Sequence, residues 1–156
     1  MMKLSERYID KGEEKMCFEP KIIGLVCNWC TYSAADLAGL LRKKYPHNIK
    51  LIKIPCSGRV NPNLIITAFQ HGADGVFVGG CRLGDCHYST GNYYARFRFE
   101  LVKSLLVFTG MEPERLTLEW ISASEADEFV ETVEKFIAKI KALEKANPIQ
   151  RSRLED

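Results

Sequence analysis

Cysteine is the residue in this chain whose number and spacing point to chemistry. Six occur in 156 residues, at positions 17, 27, 30, 56, 81 and 86, and the cysteine thiolate serves both as metal ligand and as nucleophile. Cys27-Asn28-Trp29-Cys30 is a C-x-x-C, in which one loop offers two thiolates to a single metal or to each other. Cys81-Arg82-Leu83-Gly84-Asp85-Cys86 is a C-x4-C, a spacing also used by loops that hold iron–sulfur clusters. Cys56 lies in Pro55-Cys56-Ser57-Gly58-Arg59, a tight loop whose serine and glycine amides are candidates to point at sulfur. Each motif alone has a blander reading. A C-x-x-C serves as a redox pair, and a lone buried cysteine is a small hydrophobe.

The elements that position these residues alternate short apolar runs with amphipathic segments. The first strand is read over Lys21 to Val26, ending at Cys27. A helix from Ala34 to Tyr45 follows, with Ser33 as N-cap, Leu37, Leu40 and Leu41 as its apolar stripe, and Pro46 closing it. Lys50 to Ile54 reads as the second strand, running into Pro55-Cys56. Asn61 and Pro62 then form an N-cap and N1 pair for a helix through Phe69 that stops near Gly72. Gly75 to Val78 is the third strand and leads into Gly79-Gly80-Cys81. A long helix over Tyr93 to Phe108, ended by Gly110, is expected to bury Phe97, Leu101, Leu105 and Phe108. Arg115 to Ile121 alternates as a half-exposed edge strand does. The last helix starts near Ser124 and carries Phe129, Val133, Phe136, Ile137 and Ile140 at helical spacing.

The order βαβαβαβα predicts an α/β fold, an open parallel four-stranded sheet with helices on both faces, of the flavodoxin-like kind. Residues 20–146 make one domain, 1–19 an N-terminal extension and 147–156 a polar tail. Ligands of such sheets bind beyond the carboxyl ends of the strands. Cys27, Cys56 and Cys81 each fall at a strand end, and Cys30 and Cys86 in the loops that follow. Five cysteines therefore share one edge, and Cys17 is left as a free thiol on the extension. Four thiolates suit both zinc and iron–sulfur clusters. Zinc ribbons repeat close knuckles on hairpins, whereas these ligands come from three strand ends, a broad cage better matched to a cluster. Arg59 and Arg82 adjoin candidate ligands and either offset cluster charge or face solvent. His87 reads as a hydrogen-bonding neighbour rather than a ligand. Tyr88, Tyr93 and Tyr94 read first as packing at the start of a helix and second as a partner contact.

The bulk numbers exclude several classes. Hydrophobic residues are 46% and charged residues 27%, a globular composition. A net charge of +2 gives no ground for nucleic acid or membrane lipid as partner. No apolar run approaches a bilayer span of about 20 residues, and the N-terminus has no apolar signal region, so the expected location is the cytoplasm. There is no phosphate-binding glycine loop and no nucleophile elbow.

Together, the motifs at Cys27–Cys30, Pro55–Arg59 and Gly79–Tyr88, with Gly91-Asn92-Tyr93-Tyr94 and the turn Met111–Arg115, closely resemble the delta subunit of methyl-viologen-reducing hydrogenase. The resemblance runs from about Glu19 to Ala146. It implies a 2Fe–2S carrier with no catalysis of its own, held by four of Cys27, Cys30, Cys56, Cys81 and Cys86. It also implies partners: a hydrogenase or a formate dehydrogenase as donor, and the flavin-containing A subunit of heterodisulfide reductase as acceptor. Cys30, which lies furthest past its strand end in the first loop, is taken as the spare thiol. Two rival readings stand beside this one, a dithiol–disulfide oxidoreductase using Cys27 and Cys30, and a zinc-stabilised adaptor.

Overall fold

The two central strands are runs of β-branched and small apolar residues, which suit a sheet buried on both faces, while the two edge strands mix apolar with polar residues. The structure, a computed structural model, describes residues 18–146. Cys17, the tail and most of the expected N-terminal extension lie outside those residues. The elements are β1 (Ile22–Cys27), α1 (Thr31–Leu40), β2 (Ile49–Ile54), α2 (Pro62–Gln70), β3 (Gly75–Gly80), α3 (Gly91–Phe108), β4 (Leu116–Trp120) and α4 (Ala126–Ala142). Short 3-10 turns lie at Ser57–Arg59 and Pro113–Arg115. All strand pairs are parallel, in the order β2-β1-β3-β4. This is the expected α/β sheet with flavodoxin-like strand order. The chain steps from β1 outward to β2, then returns across β1 to β3. The order thus reverses between β1 and β3, and a crevice opens there at the carboxyl edge.

Side chains alternate across each strand, so one sheet serves two cores. Ile22, Val26 and Phe77 pack with Ala34, Ala38, Phe129, Val133 and Ile140 of α1 and α4. Leu25, Val76 and Val78 pack with Ile65, Phe69, Phe99, Val102 and Leu106 of α2 and α3. Each large apolar side chain so enclosed contributes about 1.5–3 kcal/mol relative to exposure. At the amino side, Asp74 is buried and accepts from the backbone amides of Lys21 and Ala146 at 2.9 and 3.1 Å. Arg115 is fully buried and donates to the carbonyls of Asp74, Leu143 and Glu144 and to the Glu112 carboxylate. That one guanidinium fastens β4 to the end of α4. Among the described residues no helix is long and apolar enough to cross a membrane.

Two helices differ from their expected form. α1 begins at Thr31 with Cys30, not Ser33, in the cap position, and it stops at Leu40, well short of Tyr45 and Pro46. The Ser33 hydroxyl instead donates back to the Asn28 carbonyl at 3.2 Å, and Arg42 turns the chain with φ 55°. Its buried face is Thr31, Ala34, Ala35 and Ala38, while Leu40 and Leu41 are exposed. Small residues let this helix approach the sheet closely, a purpose the larger leucines do not serve. α3 presents Ala95, Phe99, Val102 and Leu106 to the core. The expected face of Phe97, Leu101, Leu105 and Phe108 is the exposed one. α3 carries two apolar stripes, and the other one meets the sheet. The last helix opens at Ala126, near the expected Ser124.

Candidate metal centre

Cys27 closes β1 and Cys81 follows β3, and these strands are direct neighbours with Val26 opposite Gly79. Their Sγ atoms lie 3.6 Å apart in the crevice between the two strands. Close approach of α1 tightens this corner. Thr31 is fully buried and donates to the Gly80 carbonyl at 3.3 Å, and a Cβ on Gly79 would collide with the Thr31 side chain. Cys30, half-buried, stands at the start of that helix.

A second thiol pair sits beside the first. Cys56 precedes the 3-10 turn at the end of β2, and its Sγ accepts from the Gly58 amide at 3.4 Å. Cys86, in the loop before α3, brings its Sγ within 3.8 Å of Cys56 Sγ. The first turns of α3 clamp both loops. A Cβ on Gly91 would overlap Cys56 Sγ and stand 3.2 Å from Cys86 Sγ, and one on Gly58 would lie 2.7 Å from the Gly91 carbonyl oxygen. Buried Asn92 donates to the carbonyls of Cys81 at 3.2 Å and Arg82 at 2.7 Å. Arg98 donates to the Gly58 carbonyl. Sequence reading placed all five cysteines but missed Asn92 and Arg98 as supports and Gly91 as a contact. The available signal was a Gly-Asn pair opening a helix five residues after a C-x4-C.

The surroundings refine the other expectations. The His87 ring stacks on Trp29, centroids 3.6 Å apart, joining the C-x-x-C loop to the C-x4-C loop rather than hydrogen-bonding to sulfur. Tyr88, Tyr93 and Tyr94 are exposed instead of packed at the helix start. Arg82 forms an ion pair with Glu125 at 2.6 Å, so the arginine is not a free counter-charge to the thiols. Arg59 is exposed.

The thiols are free, and no disulfide joins those described. The hydrogen bond with Cys81, then burial, pushes the Cys27 thiol far above its ordinary range. Burial is the largest cause raising Cys30 and Cys56 as well. A cation reverses this preference, because a metal deprotonates the thiols that bind it. A tetrahedral metal with sulfur bonds of about 2.3 Å holds two thiolates roughly 3.8 Å apart. Both thiol pairs have that separation, 3.6 and 3.8 Å. Yet among the described residues no three His, Cys, Asp or Glu side chains converge as a site for one metal ion. Two pairs side by side fit a centre of two metal atoms, each taking two thiolates. Two buried polar atoms without protein partners lie next to the thiols in sequence or at the clamp, Ser57 Oγ in the 3-10 turn after Cys56 and Asn92 Oδ1 in the first turn of α3. Ser57 can donate to sulfur; Asn92 Oδ1 only accepts.

Comparison with known proteins places this geometry. The family described as methyl-viologen-reducing hydrogenase, delta subunit, matches residues 22–144. The chain is 56% identical over 126 residues to the D-type iron-sulfur subunit of the F420-non-reducing hydrogenase of Archaeoglobus profundus, covering 81% of this chain and 92% of that one. It is 50% identical over 126 residues to the D-type iron-sulfur subunit of the vhc F420-non-reducing hydrogenase of Methanococcus voltae, covering 81% of this chain and 88% of that protein. It is also 45% identical over 130 residues to the A-type subunit of the ferredoxin/F(420)H(2)-dependent CoB-CoM heterodisulfide reductase of Methanosarcina acetivorans. That match covers 83% of this chain but only 16% of the longer protein. The sheet, the five clustered cysteines and a match over nearly all the described residues agree: the chain belongs to the methyl-viologen-reducing hydrogenase delta subunit family.

Proposed function

We propose that this protein is a cytoplasmic electron-transfer subunit carrying one 2Fe–2S cluster, with Cys27 and Cys81 binding one iron, Cys56 and Cys86 the other, and Cys30 spare. The observation that carries this reading is the pair of thiol pairs, each at the spacing of two thiolates on one metal, at the crevice where strand order reverses. Relatives named as iron-sulfur subunits support the class of cofactor. When bound, such a cluster accepts and releases one electron at a time, its formal charge moving between 2− and 3−. The chain's own part is to hold the ligands rigidly and donate to sulfur. The Gly58 amide serves Cys56, and the amides of Trp29 and Cys30 point to Cys27. Such hydrogen bonds to sulfur raise a cluster's reduction potential.

The donor in this reading is a hydrogenase and the acceptor the flavin-containing A subunit of heterodisulfide reductase. The D-type relatives are named for the former, and the Methanosarcina acetivorans relative, with a second one in Methanosarcina mazei, for the latter. A formate dehydrogenase donor has no support among these relatives. The oxidoreductase alternative needs a thiol of lowered pKa at the start of α1, whereas Cys27 and Cys30 are both raised. A zinc adaptor needs four thiolates around one ion, and the pairs do not converge that way.

The test is hydrogen-driven flavin reduction in the anaerobically purified complex, with and without this chain. The relay reading expects the rate to vanish without it and to stay lost when Cys81→Ser replaces the native chain. Full-rate reduction in its absence would refute the relay.

A further inference from the structure

Among the described residues two apolar surfaces stand uncovered, on different elements. One is a groove of 790 Å³ beside β2, lined by Ile52 and Leu64 and reaching Ile22, His47 and Gly72. It runs along β2 from His47 at the amino edge to Ile54, and no cysteine lines it. The other is the outer face of α3, where Tyr93, Phe97, Leu101, Leu105 and Phe108 follow one another at spacings of four, four, four and three residues. Phe97 is 74% exposed and Phe108 89%. On a helix of 18 residues this seam extends over about 22 Å. Soluble proteins seldom leave a contiguous apolar strip of that length to water, and aromatic side chains are enriched where partners bind.

The seam starts at the metal centre. At its amino-terminal end a pocket of 410 Å³ is walled by Tyr88, Tyr94, Arg59 and Arg98, with Cys56 and Gly91 on its lining. A partner seated along α3 therefore has its nearest surface over the Cys56–Cys86 pair. Electron transfer requires that proximity; Cys56 lines the pocket at the start of α3, whereas the β2 groove ends at Ile54 with no thiol on its lining. The flanking charge is basic. Arg59, Arg96 and Arg98 border the seam and its pocket, with Glu100 as the acid among them. The complementary surface is apolar with an acidic rim.

We propose that the outer face of α3 is the docking seat for the heterodisulfide reductase A-type subunit. The inference rests on the relay reading above and names the surface through which it works. What selects this partner over the hydrogenase is the pair of Methanosarcina relatives. In them a domain like this one makes up 16% of a polypeptide named as that subunit. A domain that is held covalently to that subunit in one lineage needs, as a separate chain, a surface to hold it in trans. An unpartnered apolar seam beside the thiols is such a surface.

The experiment tags the A-type subunit of the reductase. Its complex is recovered anaerobically with the wild-type chain, with Phe97→Glu/Leu101→Glu, and with Leu40→Glu as a control on the exposed end of α1. Phe97→Gln alone is the milder variant should the double change reduce soluble yield. Iron content and circular dichroism are measured on each. The proposal expects the seam variants to be recovered about tenfold less or worse, as for truncated interface hot spots. Their iron, their spectrum and their association with the hydrogenase should be retained, and the control should behave as wild type. Undiminished recovery with the A-type subunit would overturn it. So would loss of the hydrogenase in its place, or a wild-type dimer that the seam change converts to monomers while the A-type subunit stays bound. Recovery does not depend on the metal, so a wild-type chain without iron would sink the cluster reading and leave the docking result to be read by itself.

Discussion

At Gly91 the missing side chain is what allows Cys56 and Cys86 to face each other. A single methyl group there would overlap one sulfur and crowd the other. Gly91→Ala is therefore expected to lose most of its bound iron while keeping the circular dichroism of the fold, measured on anaerobically purified protein. Retention of full iron would mean that the α3 turn yields more easily than this contact allows. The sequence made the five cysteines legible because metal-ligand spacing is a local signal. It did not make the clamp legible. Asn92 acts on the carbonyls of Cys81 and Arg82, and Arg98 on the carbonyl of Gly58 forty residues away. Contacts with backbone atoms leave no motif. Arg82 shows the same limit in reverse, since its neighbour in sequence is a ligand but its partner in space is Glu125.

At the scale of elements, strands were read nearly to the residue, because a buried central strand is an unbroken apolar run, an edge strand alternates, and Gly or Pro stands at several of their ends. Helix faces were read less well. α4 has one apolar stripe, and it is the buried one. α3 has two, and periodicity alone does not say which meets the sheet. α1 buries alanines, which carry little hydrophobic signal. The buried Arg115 was read only as the start of a strand, yet it joins β4, α4 and the loop before β3 through three carbonyls and a carboxylate. Replacing it by methionine leaves those acceptors unpaired, at an expected cost of roughly 3 kcal/mol in urea unfolding. An unchanged midpoint would contradict that role. The bond from Arg115 holds the Glu112 carboxyl below its ordinary range. A depressed folded pKa stabilises the protein above the unfolded value of about 4.3 and loses that contribution as pH falls through the folded one. Glu112 is half exposed, which keeps the effect small. Wild type should accordingly lose slightly more stability than Glu112→Gln between neutral pH and acid, and an equal loss would remove the carboxylate from the account.

For the whole molecule, alternation of strands and helices sufficed to predict the sheet and the edge at which its cysteines gather. The flavodoxin-like order sets β1 beside β3; what alternation did not reveal is that Cys27 then meets Cys81 while Cys56 pairs with Cys86. That pairing came from topology, and it sets four of the five candidate thiols in two pairs. The most direct measurement is the iron, acid-labile sulfide and zinc content of the full chain purified without oxygen, taken together with its Cys30→Ser and Cys81→Ser variants. The account predicts about two irons and two sulfides per chain, unchanged in Cys30→Ser and lost in Cys81→Ser. Stoichiometric zinc with no iron, or a cluster that survives Cys81→Ser but not Cys30→Ser, would contradict it.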